Sequence, residues 1–160
     1  MTARAAPLRS MPGLTVTTPV GALTLTETND AITTVTWGGA AGDQTVVLKD
    51  AETQIAAYFA GDLQDFDLPL NVAGSDLQRK TCAAMQAIPY GETRTYGDLA
   101  RALGVPAQAI GQACGGNPIP IIIPCHRVLG ATSLGGFSGG TGIETKVALL
   151  KHEGAAGLLI

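Results

Sequence analysis

Residues 95–114 read Thr95-Tyr96-Gly97-Asp98-Leu99-Ala100-Arg101-Ala102-Leu103-Gly104-Val105-Pro106-Ala107-Gln108-Ala109-Ile110-Gly111-Gln112-Ala113-Cys114, and this run sets the architecture of the chain. Thr95 suits a helix N-cap, because its hydroxyl can accept from an orphan N–H of the first turn. Gly104 closes that helix and Pro106 opens a second, whose first turn tolerates proline. Two short helices joined by Gly104-Val105 form a helix-turn-helix signal, in which the second helix usually enters a DNA groove. That second helix is small and nearly uncharged. Glycine and alanine would let it pack tightly against another helix, or press closely on a nucleic acid where shape outweighs charge. The segment alone leaves both readings open.

Upstream, Ser75 can cap a helix through Leu77, Cys82, Met85 and Ile88, stopped by Pro89, with Cys82 on the apolar stripe. Downstream, Asn117-Pro118 precedes Ile121-Ile122-Ile123 and then Pro124-Cys125-His126-Arg127-Val128. The apolar run should be buried, and it delivers a cysteine directly beside a histidine. A thiolate is a strong nucleophile and a thiol a weak one, so a neighbouring base decides whether the cysteine reacts. Pro124 fixes a backbone angle just before Cys125. Taken alone, a Cys-His pair is more often a core cysteine beside a surface histidine. Leu134-Gly135-Gly136-Phe137-Ser138-Gly139-Gly140 lacks the G-K-[ST] element of a nucleotide loop and reads as a tight loop beside a pocket, with Ser138 able to hydrogen-bond. A last helix runs from about Glu144 to His152. Glu153 after it is either a surface carboxylate or the third member of a Cys-His-Glu relay.

The first half reads as strands followed by a helix. Residues 20–26 and 31–37 alternate around the turn signal Asn29-Asp30, which predicts an antiparallel hairpin. Thr45-Val46-Val47-Leu48 predicts a third strand, and Ile55, Tyr58, Phe59 and Leu63 predict a helix over 51–63. The fold class is therefore an α/β N-terminal domain with a small antiparallel sheet over residues 1–74, with 1–12 a flexible tail. A mainly α-helical C-terminal domain containing the helix-turn-helix follows over residues 75–160.

The 160 residues are 46% hydrophobic and carry a net charge of −3. Residues 1–75 hold three basic and eight acidic side chains, a net of −5, while residues 76–160 hold seven and five, a net of +2. That asymmetry permits, without requiring, a phosphate-facing surface on the second half. No apolar run is long enough to span a membrane, and the start has no signal-peptide h-region. Three widely spaced cysteines argue for a reducing, cytoplasmic compartment rather than a disulfide framework. Cys82, Cys114, Cys125, His126 and His152 show no metal-ligand spacing, so neither a metal nor another cofactor is expected.

Ile88-Pro89-Tyr90-Gly91, Thr95-Tyr96, Asn117-Pro118, Pro124-Cys125-His126-Arg127-Val128, Ser138-Gly139-Gly140 and His152-Glu153-Gly154 occur together and in order. In this the chain resembles the O6-alkylguanine-DNA alkyltransferases, strongly over about residues 75–160 and only in architecture before that. The resemblance implies stoichiometric repair of double-stranded DNA carrying O6-alkylguanine, by a monomer. The damaged base would be flipped out, since its O6-alkyl carbon cannot be reached inside the stack. Cys125 would attack that carbon while His126, oriented by Glu153, takes the thiol proton through a water. Tyr96 would donate to the departing guanine, Asn117 would link the recognition helix to the active-site segment, and Ser138 would contact the O6 region. Arg127, Thr95, Val128 and Gly111 are expected among the residues that bind substrate or DNA. The product is a thioether that water does not cleave, so each molecule acts once.

One departure stands out. Where the family usually places an arginine that fills the gap left by the flipped base, this chain has Gln108, which supplies no charge and less stacking area. A lesion-binding protein with weak or no repair is therefore the alternative. The family's non-catalytic relatives replace the cysteine itself, however, and Cys125 is retained. A thiol hydrolase using Cys125 and His126 is a third reading, which would turn over and need no DNA.

Overall fold

The computed structural model describes residues 11–155, which fall into two compact units, one ending at Asn71 and the other beginning at Val72. Most of the expected N-terminal tail lies outside the described residues. Its last two residues are tied down, with Pro12 bridging to Asp43 and the Asp43 N–H donating to the Met11 carbonyl at 2.9 Å.

The first unit is a three-stranded antiparallel meander, β1 (Gly13–Thr18), β2 (Gly21–Thr28) and β3 (Ala31–Trp37), packed against helix α1 (Val46–Phe59). Asn29 and Asp30 adopt φ of 52° and 66°, the left-handed pair that a two-residue hairpin turn needs to match strand twist. The register sets Leu14 opposite Leu25 and Leu25 opposite Val35, and these side chains are buried together with Leu48, Ile55 and Tyr58 of the helix.

The strand expected at Thr45–Leu48 does not form. Thr45 is instead the N-cap of α1, its hydroxyl accepting from the Leu48 N–H at 3.4 Å. Leu48 then begins a buried stripe with Ala51, Ile55 and Tyr58, while Val46 is 87% exposed. Helical burial outweighs the strand preference of two adjacent valines. The third strand is β1, whose Leu14 and Val16 supply the alternating buried face.

In the second unit Ser75 caps α2 (Asp76–Gln86), its hydroxyl accepting from the Gln78 N–H at 3.1 Å. A short strand β4 (Arg94–Thr95) leads into α3 (Tyr96–Leu103), and α4 (Ala107–Gly115) follows. Thr95 and Asp98 form a reciprocal capping box: Asp98 N–H to the Thr95 hydroxyl at 3.0 Å, Thr95 N–H to the Asp98 carboxylate at 2.8 Å. Gly104 ends α3 at φ 70°, a conformation costly for any residue with a Cβ. Helices α2, α3 and α4 pack on one another. A single 3-10 turn, Cys125–Arg127, then passes into β5 (Val128–Leu129), which pairs in parallel with β4. Helix α5 (Ile143–His152) closes the unit and packs on the 3-10 turn. Among the described residues, no helix is long and apolar enough to cross a membrane.

Candidate active site

The site is built around the 3-10 turn. Ile121, Ile122 and Ile123 are buried, and Ile121 holds φ at 74°, a left-handed conformation rare for a β-branched residue. Such strain persists only where neighbours over-determine it. Asn117 is one such neighbour: its Nδ2 donates to the Ile123 carbonyl at 2.9 Å and its Oδ1 accepts from the Ile119 N–H at 3.0 Å. The Ile123 carbonyl also accepts the Cys125 N–H at 2.8 Å, so the backbone carrying the thiol is pinned from both sides.

Cys125 is partly accessible, whereas Cys82 and Cys114 are buried. Burial pushes the Cys125 thiol above its ordinary range, against the lowering effects of the Asn117 hydrogen bond and of Lys146. Cys114 is pushed up to about 12, chiefly by burial, and is therefore inert as a thiolate at neutral pH. Position and access, not thiol count, single out Cys125.

His126 is fully buried, with Nε2 2.8 Å from Glu153 Oε2. A carboxylate oxygen only accepts, so in the neutral ring Nε2 carries the proton and Nδ1 presents a lone pair. Nδ1 has no hydrogen-bond partner among the described residues. Burial lowers the His126 pKa more than the Glu153 carboxylate raises it, so the ring rests neutral at pH 7. The arrangement is a base with one nitrogen anchored and the other available.

Two expected DNA-side residues are placed elsewhere. Arg127 is 5% exposed; its Nε and Nη2 grip the Glu153 carboxylate at 2.8 and 2.9 Å, and its Nη1 donates to the Ile88 carbonyl at 2.7 Å. Its guanidinium also lies 5.7 Å from the Tyr90 ring centroid. Two of its nitrogens fix Glu153 and the third holds the Ile88 carbonyl, so the guanidinium is committed inside the unit. Val128 is fully buried and its carbonyl accepts from Lys146 Nζ at 2.6 Å.

Lys146 is the residue that sequence reasoning missed. It is fully buried, donates also to the Gly136 carbonyl at 3.2 Å, and stands 5.9 Å from the Tyr96 ring centroid. Burial lowers its pKa to about 8, with the Cys125 and Cys114 thiols acting to raise it. On α5 it looks like one more surface lysine, and the signal that could have found it is its place beside Thr145 on the buried stripe with Leu149 and Leu150.

Tyr96 is half-buried between Lys146 and the glycine-rich loop. Burial raises its pKa, so the phenol keeps its proton as a donor. Gly135 approaches so closely that a Cβ there would come within 2.7 Å of the Tyr96 hydroxyl. The structure thus gathers Cys125, His126, Glu153, Asn117 and Tyr96 around one turn and its neighbours. Ser138 and Gln108 are exposed, on the loop and on α4 respectively. Thr95 is committed to its capping box, and Gly111 on α4 faces open space where a Cβ would stand. Among the described residues, no three His, Cys, Asp or Glu side chains group to hold a metal ion.

A partly accessible cysteine thus stands beside a carboxylate-anchored histidine, in a unit whose α3 and α4 form a helix-turn-helix. The DNA-binding domain of 6-O-methylguanine DNA methyltransferase matches residues 76–155, and the ribonuclease-like domain of the same proteins matches residues 14–72. The chain belongs to the 6-O-methylguanine DNA methyltransferase family. A methylated-DNA–protein-cysteine methyltransferase of Mycolicibacterium paratuberculosis is 42% identical over 154 residues, covering 87% of this chain and 90% of the relative. A constitutive one from Bacillus subtilis is 40% identical over 154 residues, covering 87% and 93%. The OGT protein of Mycobacterium tuberculosis, solved in complex with DNA, superposes with a TM-score of 0.80 at 42% identity, covering 88% of this chain and 91% of that one.

Proposed function

We propose that this protein repairs DNA directly, taking an alkyl group from O6 of guanine onto the sulfur of Cys125. The observation that carries the reading is the carboxylate-anchored His126, with Nδ1 available, in the residue next to an accessible thiol. The partner is DNA, as in the OGT complex, taken here in its double-stranded form and met through α3 and α4. The O6-alkyl carbon is reached by flipping the base out, with exposed Gln108 filling the gap left in the stack.

The thiol proton passes to His126 Nδ1 through a water, and the imidazolium that forms is stabilised by Glu153. The sulfur then forms a bond to the alkyl carbon as the bond from that carbon to O6 breaks. The electron pair stays on guanine, and the Tyr96 hydroxyl donates to the departing base while Ser138 contacts its O6. Asn117 fixes the thiol through the Ile123 carbonyl. The thioether has no hydrolysable bond, so one molecule repairs one lesion. The protein acts as a monomer in the cytoplasm, where all three cysteines stay reduced.

Mass spectrometry after incubation with duplex DNA containing O6-methylguanine tests the reading. One methyl group per protein, mapped to Cys125 and absent in Cys125→Ser, is the expected result. Multiple turnover, a methyl group on Cys114, or binding without any adduct overturns it.

A further inference from the structure

Gln78, in the first turn of α2, reaches across to the far end of the recognition helix. Its Nε2 donates to the Ala113 carbonyl at 2.7 Å, in the last turn of α4, beside the Gly116 N–H that reaches the same carbonyl at 3.2 Å. The fit is close, since a Cβ on Gly116 would come within 3.0 Å of Gln78 Oε1. The same Nε2 lies 3.5 Å from the Cys82 sulfur, and the Cys82 thiol donates to Asn117 Oδ1 at 4.0 Å. Asn117 is the residue that holds the Ile123 carbonyl from which the Cys125 N–H also hangs. A continuous polar chain therefore runs from Gln78 through Cys82 and Asn117 to the backbone of the reactive thiol, with a branch to the end of α4.

We propose that Gln78 is a positioning residue for alkyl transfer: by tying the C-terminal turn of α4 to Cys82, and through it to Asn117, it sets where the Cys125 sulfur stands relative to the base. The inference rests on Cys125 being the alkyl acceptor. The Asn117 amide is a rigid plane that presents acceptor and donors to different segments, so a change in what holds Oδ1 tilts what Nδ2 holds. Misplacement of a reacting atom by a fraction of an ångström is enough to slow a displacement at carbon.

The test is single-turnover transfer of a labelled benzyl group, from free O6-benzylguanine and from duplex DNA, by Gln78→Leu, Cys82→Ala and the double variant. Each single change is expected to slow the transfer step from both substrates by about five-fold, the size of one net hydrogen bond. The double variant should be no slower than the slower single, because both changes cut one chain. Affinity for undamaged duplex and the melting temperature should stay near wild type. A wild-type rate in Gln78→Leu, or effects that multiply in the double variant, overturns the proposal. Gln78→Met serves the same test if the leucine variant does not fold. Label that fails to reach Cys125 in the unaltered protein overturns the underlying repair reading instead, which separates the two failures.

Discussion

His126 and Arg127, neighbours in the chain, hold the same carboxylate oxygen: Glu153 Oε2 lies 2.8 Å from His126 Nε2 and 2.9 Å from Arg127 Nη2. Adjacent residues point their side chains at one acceptor because the 3-10 turn tightens the backbone between Cys125 and Val128. The sharing has two consequences. Arg127 fixes the carboxylate in a bidentate grip, and its positive charge works with burial against protonation of His126. The imidazole is thus kept neutral at rest, ready to accept a proton.

Arg127→Met should destabilise the fold. Removing one partner of a buried ion pair leaves the other charge uncompensated, at a cost of about 3–5 kcal/mol. Chemical denaturation at pH 7 would show the loss, and a variant as stable as wild type would mean that Glu153 finds another partner. By contrast, a DNA-contact arginine would alter DNA affinity and leave stability alone.

Glu153→Gln should slow benzyl transfer from free O6-benzylguanine as well as from DNA, because the defect lies in proton transfer and not in base flipping. Losing a charge-assisted hydrogen bond is worth on the order of 2 kcal/mol, about thirty-fold in rate. Rates should be normalised to folded protein, since Arg127 also loses its carboxylate. An unchanged single-turnover rate would remove Glu153 from the relay.

Lys146 predicts a stability profile at alkaline pH. Its folded-state pKa of about 8 lies below the ordinary 10.5, so the unfolded chain binds the proton more tightly. Burial of the cation therefore costs stability below about pH 8, and the cost is relieved as pH rises from about 8 toward 10.5. Unfolding free energies compared at pH 7.5 and 9.5 should show this rise in wild type but not in Lys146→Met. Lys146→Met should also slow alkyl transfer, because the ammonium favours the Cys125 thiolate and orders Val128 and Gly136.

Gln108 separates flipping from chemistry. Gln108→Ala should slow repair of duplex DNA by about 1 kcal/mol, roughly five-fold, and spare the reaction with the free base. Gln108→Arg should preserve or speed duplex repair, since a planar cation adds stacking area and phosphate attraction. Equal effects on both substrates would show that Gln108 supports the fold instead.

Caps and turns were the most legible parts of the sequence, because their chemistry is local. Ser75, Thr95 and Gly104 mark helix ends through bonds to residues within a turn of themselves, and Asn29-Asp30 marks the hairpin in the same way. Thr45-Val46-Val47-Leu48 misled because β-branched residues favour strands, while the register that buries Leu48 with Ala51 and Ile55 becomes visible only against the sheet. Long-range chemistry was less legible still. The spacing of Lys146 with Leu149 and Leu150 marks a buried face but not which carbonyls hold the ammonium there, and nothing next to Arg127 shows that a carboxylate on another element will occupy it.

Because Glu153 caps the end of α5, the group that organises His126 and Arg127 is made after every other residue of the site. Glu153 lies 27 residues from His126 in the chain, so until α5 docks on the 3-10 turn the Cys125 thiol has no oriented base. Its reactivity is thereby delayed until the fold is nearly finished.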